Sequence, residues 1–115
     1  SASAYTMLNF DVGHYYGVNG ESPLPIVEKF ASRISSLHLK DRKAPTPNPN
    51  GGAPAGGATV PWGEGGTPMK EILQYMKRSK SRFPASIELE YPVPEGSDAV
   101  AEVRKCVEYC RAALA

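Results

Sequence analysis

Three short segments of the sequence each carry one side chain that could bind a metal ion. They are M-L-N-F-D-V-G-H at residues 7–14, I-S-S-L-H-L-K-D-R at residues 34–42 and A-S-I-E-L-E-Y at residues 85–91. Apolar and polar residues alternate in all three, so in a strand Asp11, His38 and Glu88 fall on the face opposite the apolar residues. Two carboxylates and one imidazole suit Mn, Mg, Co or Zn better than thiolate-preferring metals. The sequence therefore predicts three strands that could share a divalent metal ion.

Helices are predicted between and after these strands. Ser22-Pro23 and Thr67-Pro68 each join a capping hydroxyl to a proline in the first turn, and Ser97-Asp98 caps a last helix that runs to about Ala113. The first helix ends near Arg33. The buried faces of the first two helices are Leu24, Val27, Phe30 and Ala31, then Met69, Ile72, Leu73 and Met76.

The order of these elements predicts the fold class. Strands that alternate with amphipathic helices pair in parallel through right-handed crossovers, which gives an α/β protein. A doubly wound sheet would be apolar on both faces, whereas these strands are polar on one face towards their carboxyl ends. A (β/α)8 barrel fits better, because such enzymes keep their sites at the carboxyl ends of the strands.

Two irregular segments interrupt this order. Residues 13–21 are rich in Gly and Tyr and are predicted to form a loop. Residues 43–66 form the longest irregular segment, and its first two-thirds has the composition of a mobile insertion without chemistry. Residues 60–65 differ, because Trp62 can anchor them.

The composition limits the possible function classes. With 115 residues, 41% hydrophobic and 22% charged, the chain is a single globular domain or part of one. A net charge of +1 gives no broad attraction to nucleic acid or membranes, and no apolar run is long enough to cross a membrane. Residues 1–6 lack signal-peptide features, which favours a cytoplasmic location, although a removed export signal stays open. Cys106 and Cys110, four apart on the last helix with Val103, Val107 and Leu114, are predicted to be buried reduced thiols.

Four motifs together resemble the C-terminal part of sugar phosphate isomerases and epimerases, the xylose isomerase-like barrels. They are D-V-G-H at residues 11–14, H-L-K-D at 38–41, W-G-E-G-G-T-P at 62–68 and S-I-E-L-E-Y-P at 86–92. The resemblance implies that residues 1–115 form a partial (β/α)8 TIM barrel, about the last three βα units. It also implies that the barrel units that precede them, with the first metal-binding Glu, lie outside this chain.

The resemblance further implies roles for individual residues. Asp11, His38 and Glu88 would be the metal ligands, with Glu90 as the alternative to Glu88. Glu88 and His14 would be catalytic, and His14, Lys40, Arg42 and Trp62 would contact the substrate. The implied reaction is isomerisation or epimerisation of a sugar or sugar phosphate, in which Glu88 moves a proton and a divalent metal stabilises the enediolate.

Other interpretations of the same residues stay open. Asp11 could cap the turn at Gly13, His38 could be an interior histidine, and Glu88 or Glu90 could pair with Lys40 or Arg42. The fold could also serve a non-catalytic sugar-binding or interaction module. An endonuclease IV-like phosphodiesterase is less favoured, because its additional His ligands are missing and the charge is near neutral. Open strand edges predict that the chain associates with the absent N-terminal part or with another copy.

Overall fold

The computed structural model describes residues 7–115, and residues 1–6, which bear on the predicted lack of a signal peptide, lie outside the described part. A sheet of three parallel strands has the order β1-β2-β5, and helices connect successive strands, which confirms the α/β prediction. The strands of this sheet are β1 Leu8–Asp11, β2 Ile34–Leu39 and β5 Ala85–Ile87. The helices are α1 Val12–Asn19, α2 Leu24–Phe30, α3 Met69–Ser79 and α4 Ala99–Leu114, with a 3-10 turn at Ala31–Arg33.

The central strand β2 has the predicted alternation. Leu37 and Leu39 are fully buried against the helices, while Ser36 and His38 are half-buried on the other face. The core between sheet and helices consists of Val12, Val27, Ile34, Leu37, Leu39, Met69, Ile72, Leu73, Phe83 and Ala113. On the polar face, Asn9 and Ser86 are exposed. The strands therefore present their polar residues to an open surface.

The segment predicted to be a Gly- and Tyr-rich loop is largely helical, so that prediction is wrong. Helix α1 follows β1 directly, and the Asp11 side chain caps it by accepting a hydrogen bond from the His14 backbone N–H at 2.8 Å. Gly13 and Gly17 are both buried. A Cβ at Gly13 would clash with Lys40, and one at Gly17 would clash with Arg42. The glycines therefore serve close helix packing rather than loop flexibility.

The segment predicted as one strand over residues 34–42 divides at Lys40. Beyond it, β3 Asp41–Arg42 pairs antiparallel with β4 Thr59–Val60 in a separate two-stranded sheet. Thr46 and Ala55 form a further antiparallel bridge within the long segment 43–66. That segment therefore contains short antiparallel pairings, while most of it is irregular, as predicted. The interpretation of its first two-thirds as a mobile insertion stays a prediction.

The predicted helix starts are correct in position, but one uses different chemistry. Ser22 Oγ accepts a hydrogen bond from the Leu24 N–H at 3.2 Å, and Asp98 accepts one from the Ala101 N–H at 2.8 Å. Thr67, by contrast, accepts its side-chain hydrogen bond from the Arg42 N–H at 3.1 Å. Its hydroxyl therefore ties α3's first turn to β3, and the predicted capping role of Thr67 is wrong.

Helix α4 buries a different face from the one predicted. Cys106 is buried and Cys110 half-buried, and both are free thiols, as predicted. Val103 and Leu114, predicted to share their buried face, are 40% and 37% exposed. Across the described residues, no helix has the length and apolar character needed to cross a membrane.

Candidate functional site

The carboxyl ends of the three parallel strands bring the three predicted metal ligands to one edge of the sheet. Asp11 is the register partner of His38, and the Glu88 N–H donates to the Leu39 carbonyl at 2.8 Å, which continues the pairing beyond β5. His38 Nδ1 lies 3.4 Å from Glu88 Oε1. Both side chains are about one-third exposed, so solvent or a ligand can reach them. An imidazole nitrogen and a carboxylate oxygen therefore lie side by side at an open strand end.

Asp11 lies at the same edge but is engaged with other groups. One of its oxygens, Oδ1, caps helix α1, and the other, Oδ2, lies 2.9 Å from Lys40 Nζ. The Lys40 ammonium also lies 2.6 Å from Glu90 Oε2. Lys40 is thus held between two carboxylates at the end of β2. The interpretations of Asp11 as a cap and of Glu90 as a partner of Lys40 both describe contacts that the structure contains.

The two carboxylates control the protonation of Lys40. Burial of the side chain acts to lower the pKa of Lys40, but the hydrogen bonds and negative charges of Glu90 and Asp11 outweigh it. The pKa of Lys40 is therefore above its ordinary value, and the ammonium stays charged at neutral pH. An ammonium that already contacts two carboxylates has little capacity left for an anionic substrate, so this geometry favours a positioning role for Lys40.

The donor set at this edge fits a divalent metal in part. His38 and Glu88 supply a nitrogen and an oxygen of the kinds that Mn, Co or Zn accept. Within residues 7–115, however, no three His, Cys, Asp or Glu side chains are grouped closely enough to hold a metal ion. Asp11 would complete such a group only by exchanging Lys40 for the metal. The roles of Asp11, His38 and Glu88 as ligands stay predictions.

Next to this edge, two further predicted residues contact each other. Arg42 Nη1 lies 3.3 Å from His14 Nδ1, and Arg42 Nε donates to the Gly57 carbonyl at 2.8 Å. Gly57 in turn donates its N–H to the Gly17 carbonyl at 2.9 Å. The contact with the Gly57 carbonyl therefore holds Arg42 beside the exposed His14 ring. This arrangement places a guanidinium and an imidazole where a polar substrate could contact both, and that role stays a prediction.

Asp41 has a structural role that the sequence analysis did not assign. It is 2% exposed, and its carboxylate accepts hydrogen bonds from the backbone N–H groups of Gly63, Gly65 and Thr67 at 2.9, 3.0 and 3.1 Å. A buried carboxylate that accepts several backbone N–H groups holds a loop in one conformation. The W-G-E-G-G-T-P motif carries the sequence signal for this loop, because two of the three backbone donors, Gly63 and Gly65, are glycines of that motif.

Trp62 anchors the same loop, as predicted. Its ring packs edge-on against Tyr109 of α4, with ring centroids 5.6 Å apart at 90°, and it joins the edge of the hydrophobic core. Its buried Nε1 has no hydrogen-bond partner among the described residues. Packing on α4 explains the position of Trp62, and its predicted contact with substrate stays untested.

A second buried carboxylate, Glu102 on α4, was also missed from sequence. It is 1% exposed, accepts hydrogen bonds from Tyr91 Oη at 3.0 Å and Ser97 Oγ at 2.6 Å, and lies 3.0 Å from Lys105 Nζ. Ser97 and Lys105 hold the pKa of Glu102 below its ordinary value. Burial, together with the bond to Glu102, raises the pKa of Tyr91 well above its usual range. This network fixes the segment between β5 and α4, at the strand end that carries Glu88 and Glu90.

An open cleft of about 580 Å³ lies away from these strand ends. Its walls include Ile34 and Ser35 at the start of β2, Tyr75 on α3, and Phe83 just before β5. These positions are at the amino ends of the strands, opposite the edge that carries His38 and Glu88. In parallel barrels the amino ends contribute to stability and the carboxyl ends carry the chemistry. The polar edge, rather than this cleft, is therefore the candidate site.

Comparisons with known proteins identify the fold. No model of a protein family matches the sequence, and no curated protein matches it. A solved xylose isomerase domain protein from Planctomyces limnophilus matches with a TM-score of 0.70 and 21% identity over 93% of this chain and 35% of that one. A sugar phosphate isomerase/epimerase from Parabacteroides distasonis matches with a TM-score of 0.58 and 23% identity over 90% of this chain and 30% of that one.

The chain thus spans about a third of the length of each of these two proteins. At this level of identity the likeness shows the fold, which is part of a (β/α)8 barrel with parallel strands. The predicted fold class and the predicted structural resemblance to xylose isomerase-like barrels are confirmed at that level.

Proposed function

We propose that the chain contributes part of the active site of a metal-dependent sugar or sugar-phosphate isomerase or epimerase. The observation that carries this proposal is the position of Asp11, His38 and Glu88 at the carboxyl ends of three adjacent parallel strands, with His38 and Glu88 3.4 Å apart. Barrel enzymes place their catalytic residues at this end of the strands. The fold is similar to that of a solved xylose isomerase domain protein and a solved sugar phosphate isomerase/epimerase, and this similarity supports an isomerase or epimerase reaction.

Residues of this chain would bind the metal ion and transfer the proton. His38 and Glu88 would hold the metal, together with Asp11 and ligands from other barrel units. A bound divalent ion supplies Lewis-acid stabilisation of negative charge on substrate oxygens. Glu88 would take the proton beside the substrate carbonyl as general base, which leaves an enediolate. Return of the proton to the neighbouring carbon, with transfer of the hydroxyl proton to the former carbonyl oxygen, would give the isomer. Delivery of a proton to the opposite face of the same carbon, by a second acid from another barrel unit, would give the epimer.

The remaining residues position these groups and the substrate. His14 and Arg42 would donate hydrogen bonds to substrate oxygens, since Arg42 Nη1 lies 3.3 Å from His14 Nδ1 beside the strand ends. Lys40 would hold Asp11 and Glu90 in place from within the protein. The two carboxylates raise the pKa of Lys40, so the ammonium would stay charged while the proton at Glu88 moves.

A metal titration tests the proposal. The purified chain is titrated with Mn²⁺, and binding is followed by water-proton relaxation. We expect His38→Ala and Glu88→Gln each to weaken binding at least about tenfold, because each removes a ligand atom or its charge. The matched control is Glu95→Gln, an exposed glutamate in the segment after β5. Equal Mn²⁺ affinity in wild type, His38→Ala and Glu88→Gln would refute the ligand assignment.

A second candidate function is a non-catalytic sugar-binding module. One observation favours it, since Asp11 gives both of its oxygens to protein groups, the Lys40 ammonium and the His14 N–H. A binding module needs such fixed polar groups but no metal. Sugar binding without Mn²⁺ dependence, in a protein that carries the remaining barrel units, would support this candidate. Deuterium uptake beside the sugar carbonyl in D2O would support the isomerase instead.

A further inference from the structure

Two connecting segments of this chain form the cleft at the amino ends of the strands, which we call the amino-end cleft. One is the 3-10 turn Ala31–Arg33, which leads into β2, and the other is residues 79–84, which lead from α3 into β5. The volume of about 580 Å³ lies within the range of about 300–1,000 Å³ that is usual for small-molecule sites. The amino-end cleft opens at the end of the sheet opposite His38 and Glu88, so its ligand would not enter the proposed active site.

The amino-end cleft combines an apolar wall with hydroxyl groups. Ile34 and Phe83, which line it, are 4% and 9% exposed and belong to the hydrophobic core. Ser79 and Ser81 also line the cleft, and their Oγ atoms lie 2.8 Å apart. One of these two hydroxyls donates its proton to the other, and the accepting hydroxyl keeps its own proton for a ligand. The cleft therefore offers apolar contact together with a hydrogen-bond donor.

A basic segment, residues 77–82, borders the same cleft. Its sequence K-R-S-K-S-R holds four of the 13 Lys and Arg residues of the chain and no acidic residue. Arg82 lines the cleft and is exposed, and Lys80 lies between two lining serines. Among residues 7–115, neither Lys80 nor Arg82 has an ion-pair partner, and no described residue that lines the cleft is acidic. Two positive charges are therefore available to a negatively charged ligand.

The dipole of helix α3 accounts for only part of this basic segment. The carboxyl end of a helix carries a partial negative charge, and Lys77 and Arg78 lie in the last turn of α3, where they offset it. Lys77 also donates to the Leu114 carbonyl at 2.6 Å. Arg78 lies over the Tyr75 ring, 5.8 Å from its centroid. The effect of the dipole falls off within the last turn, so it does not explain Arg82, which lies beyond the helix.

Lys80 occupies a backbone conformation that favours glycine. Its φ of 54° and ψ of 44° are in the left-handed region, at the position that ends α3. The Ser81 N–H donates to the Met76 carbonyl at 3.0 Å, which closes the helix there. Glycine is the usual residue at such a helix end, because a Cβ is disfavoured at positive φ. A lysine here costs stability, and a need for its ammonium beside the cleft would account for that cost.

A phosphate monoester with an apolar body matches this combination of groups. A phosphate group carries a charge of about −1.5 to −2 at neutral pH and three strong acceptor oxygens, so it can use two cations and a hydroxyl donor at once. A carboxylate carries a single negative charge and would leave one cation unpaired. The apolar wall at Ile34 and Phe83 adds nothing for a bare phosphate ion, but it can pack against an aromatic or aliphatic group.

We propose that the amino-end cleft binds a small phosphate monoester. The phosphate group pairs with Lys80 and Arg82 and accepts a hydrogen bond from the serine pair. The apolar body of the ligand packs against Ile34 and Phe83. The ligand binds and dissociates without a chemical step, at the opposite end of the strands from the proposed active site. Either proposal can therefore fail while the other stands.

Phenyl phosphate, inorganic phosphate and benzyl alcohol separate the two parts of such a ligand. Each is titrated into the whole 115-residue chain at low ionic strength, and the amide signals in NMR spectra report both affinity and position. Apolar burial and charge pairing act together only in phenyl phosphate, so we expect it to bind at least about tenfold more tightly than either other compound. The amides that shift should be those of residues 31–35 and 79–84, rather than those of His14 and Arg42.

Two variants remove one cation each. Arg82→Gln should weaken phenyl phosphate binding about tenfold, because a hydrogen bond to a charged group is lost. Lys80→Gly should weaken it about threefold and yet raise the urea midpoint of unfolding, because glycine relieves the left-handed backbone. Opposite changes in affinity and stability cannot arise from poor folding. Arg104→Gln is the matched control, since Arg104 is an exposed arginine on α4 without an ion-pair partner among the described residues.

Four results would overturn the proposal. The first is that phenyl phosphate does not bind, or binds no more tightly than inorganic phosphate. The second is equal affinity of wild type, Arg82→Gln and Lys80→Gly for phenyl phosphate. The third is a set of shifted amides confined to the end of the sheet that carries His14 and Arg42, since the anion would then occupy the proposed active site. The fourth is a single-stranded oligonucleotide that displaces phenyl phosphate at a lower concentration, because the basic segment would then contact a nucleic-acid backbone.

Discussion

Replacement of Asp41 should release the loop that connects β4 to α3. In wild type, three backbone N–H groups of this loop donate to one carboxylate that is 2% exposed. A hydrogen bond to a charged group contributes about 1.5 kcal/mol or more, and an unpaired buried donor costs a similar amount. Asp41→Ala removes all three bonds, so we expect the free energy of unfolding to fall by about 4 kcal/mol.

Asp41→Asn should lower stability less than Asp41→Ala does, and the hydrogen-bond geometry specifies which bond is lost. Gly63 and Gly65 both donate to Oδ2, and Thr67 donates to Oδ1. An amide oxygen at the Oδ2 position keeps two weakened bonds, but the amide NH2 then faces the Thr67 N–H. We expect a loss of about 2 kcal/mol, because one bond disappears and two lose their charge assistance.

Urea denaturation measures both variants, with far-ultraviolet circular dichroism for the helices and Trp62 fluorescence for the loop. Trp62 is the single tryptophan of the chain and lies within the loop, so its emission reports the loop directly. Glu64→Gln is the control, because Glu64 is exposed in the same loop. An Asp41→Ala protein within about 0.5 kcal/mol of wild type, with unchanged Trp62 emission, would show that the carboxylate does not hold the loop.

Two further perturbations test the charged contacts at the strand ends. Lys40→Met should lower stability by about 1–2 kcal/mol at pH 7, because Asp11 loses its cation while the half-exposed Glu90 is affected less. Because the pKa of Lys40 is raised on folding, its contribution to the free energy of unfolding is complete below about pH 10.4 and is lost as the pH rises through the folded-state pKa. Urea denaturation should therefore show that stability falls less at alkaline pH in Lys40→Met than in wild type. Glu102→Gln should lower the melting temperature by about 5 °C at pH 7. Because the pKa of Glu102 is lowered on folding, that difference should shrink as the pH falls below about 4.3, and a gap that is constant with pH would contradict the assignment.

The polar face could be identified from sequence because it depends only on local geometry. Side chains alternate along any strand, so the apolar Leu37 and Leu39 necessarily place His38 on the other face. The order of strands and helices likewise limits the pairing to parallel neighbours, which brings the strand ends to one edge. Alternation and element order were therefore sufficient to predict that Asp11, His38 and Glu88 lie at that edge.

The partners of individual charged groups could not be predicted in the same way. Lys40, Asp11 and Glu90 lie on three different segments, and only the packed structure determines which oxygen the ammonium contacts. The helix at Val12–Asn19 was predicted as a loop for a related reason. Gly13 and Gly17 resemble loop residues locally, yet they are needed because Lys40 and Arg42 pack directly against the helix.

The sequence by itself determined the three parallel strands, the helices α2, α3 and α4, and the chemical character of the sheet edge, since these follow from the spacing of neighbouring residues. Only the tertiary structure decided that Lys40 lies between two carboxylates, that Asp41 holds a loop, and that Glu102 is buried beside Tyr91. Each of these depends on distances between residues far apart in the chain, and such distances exist only once helices and sheet have packed together.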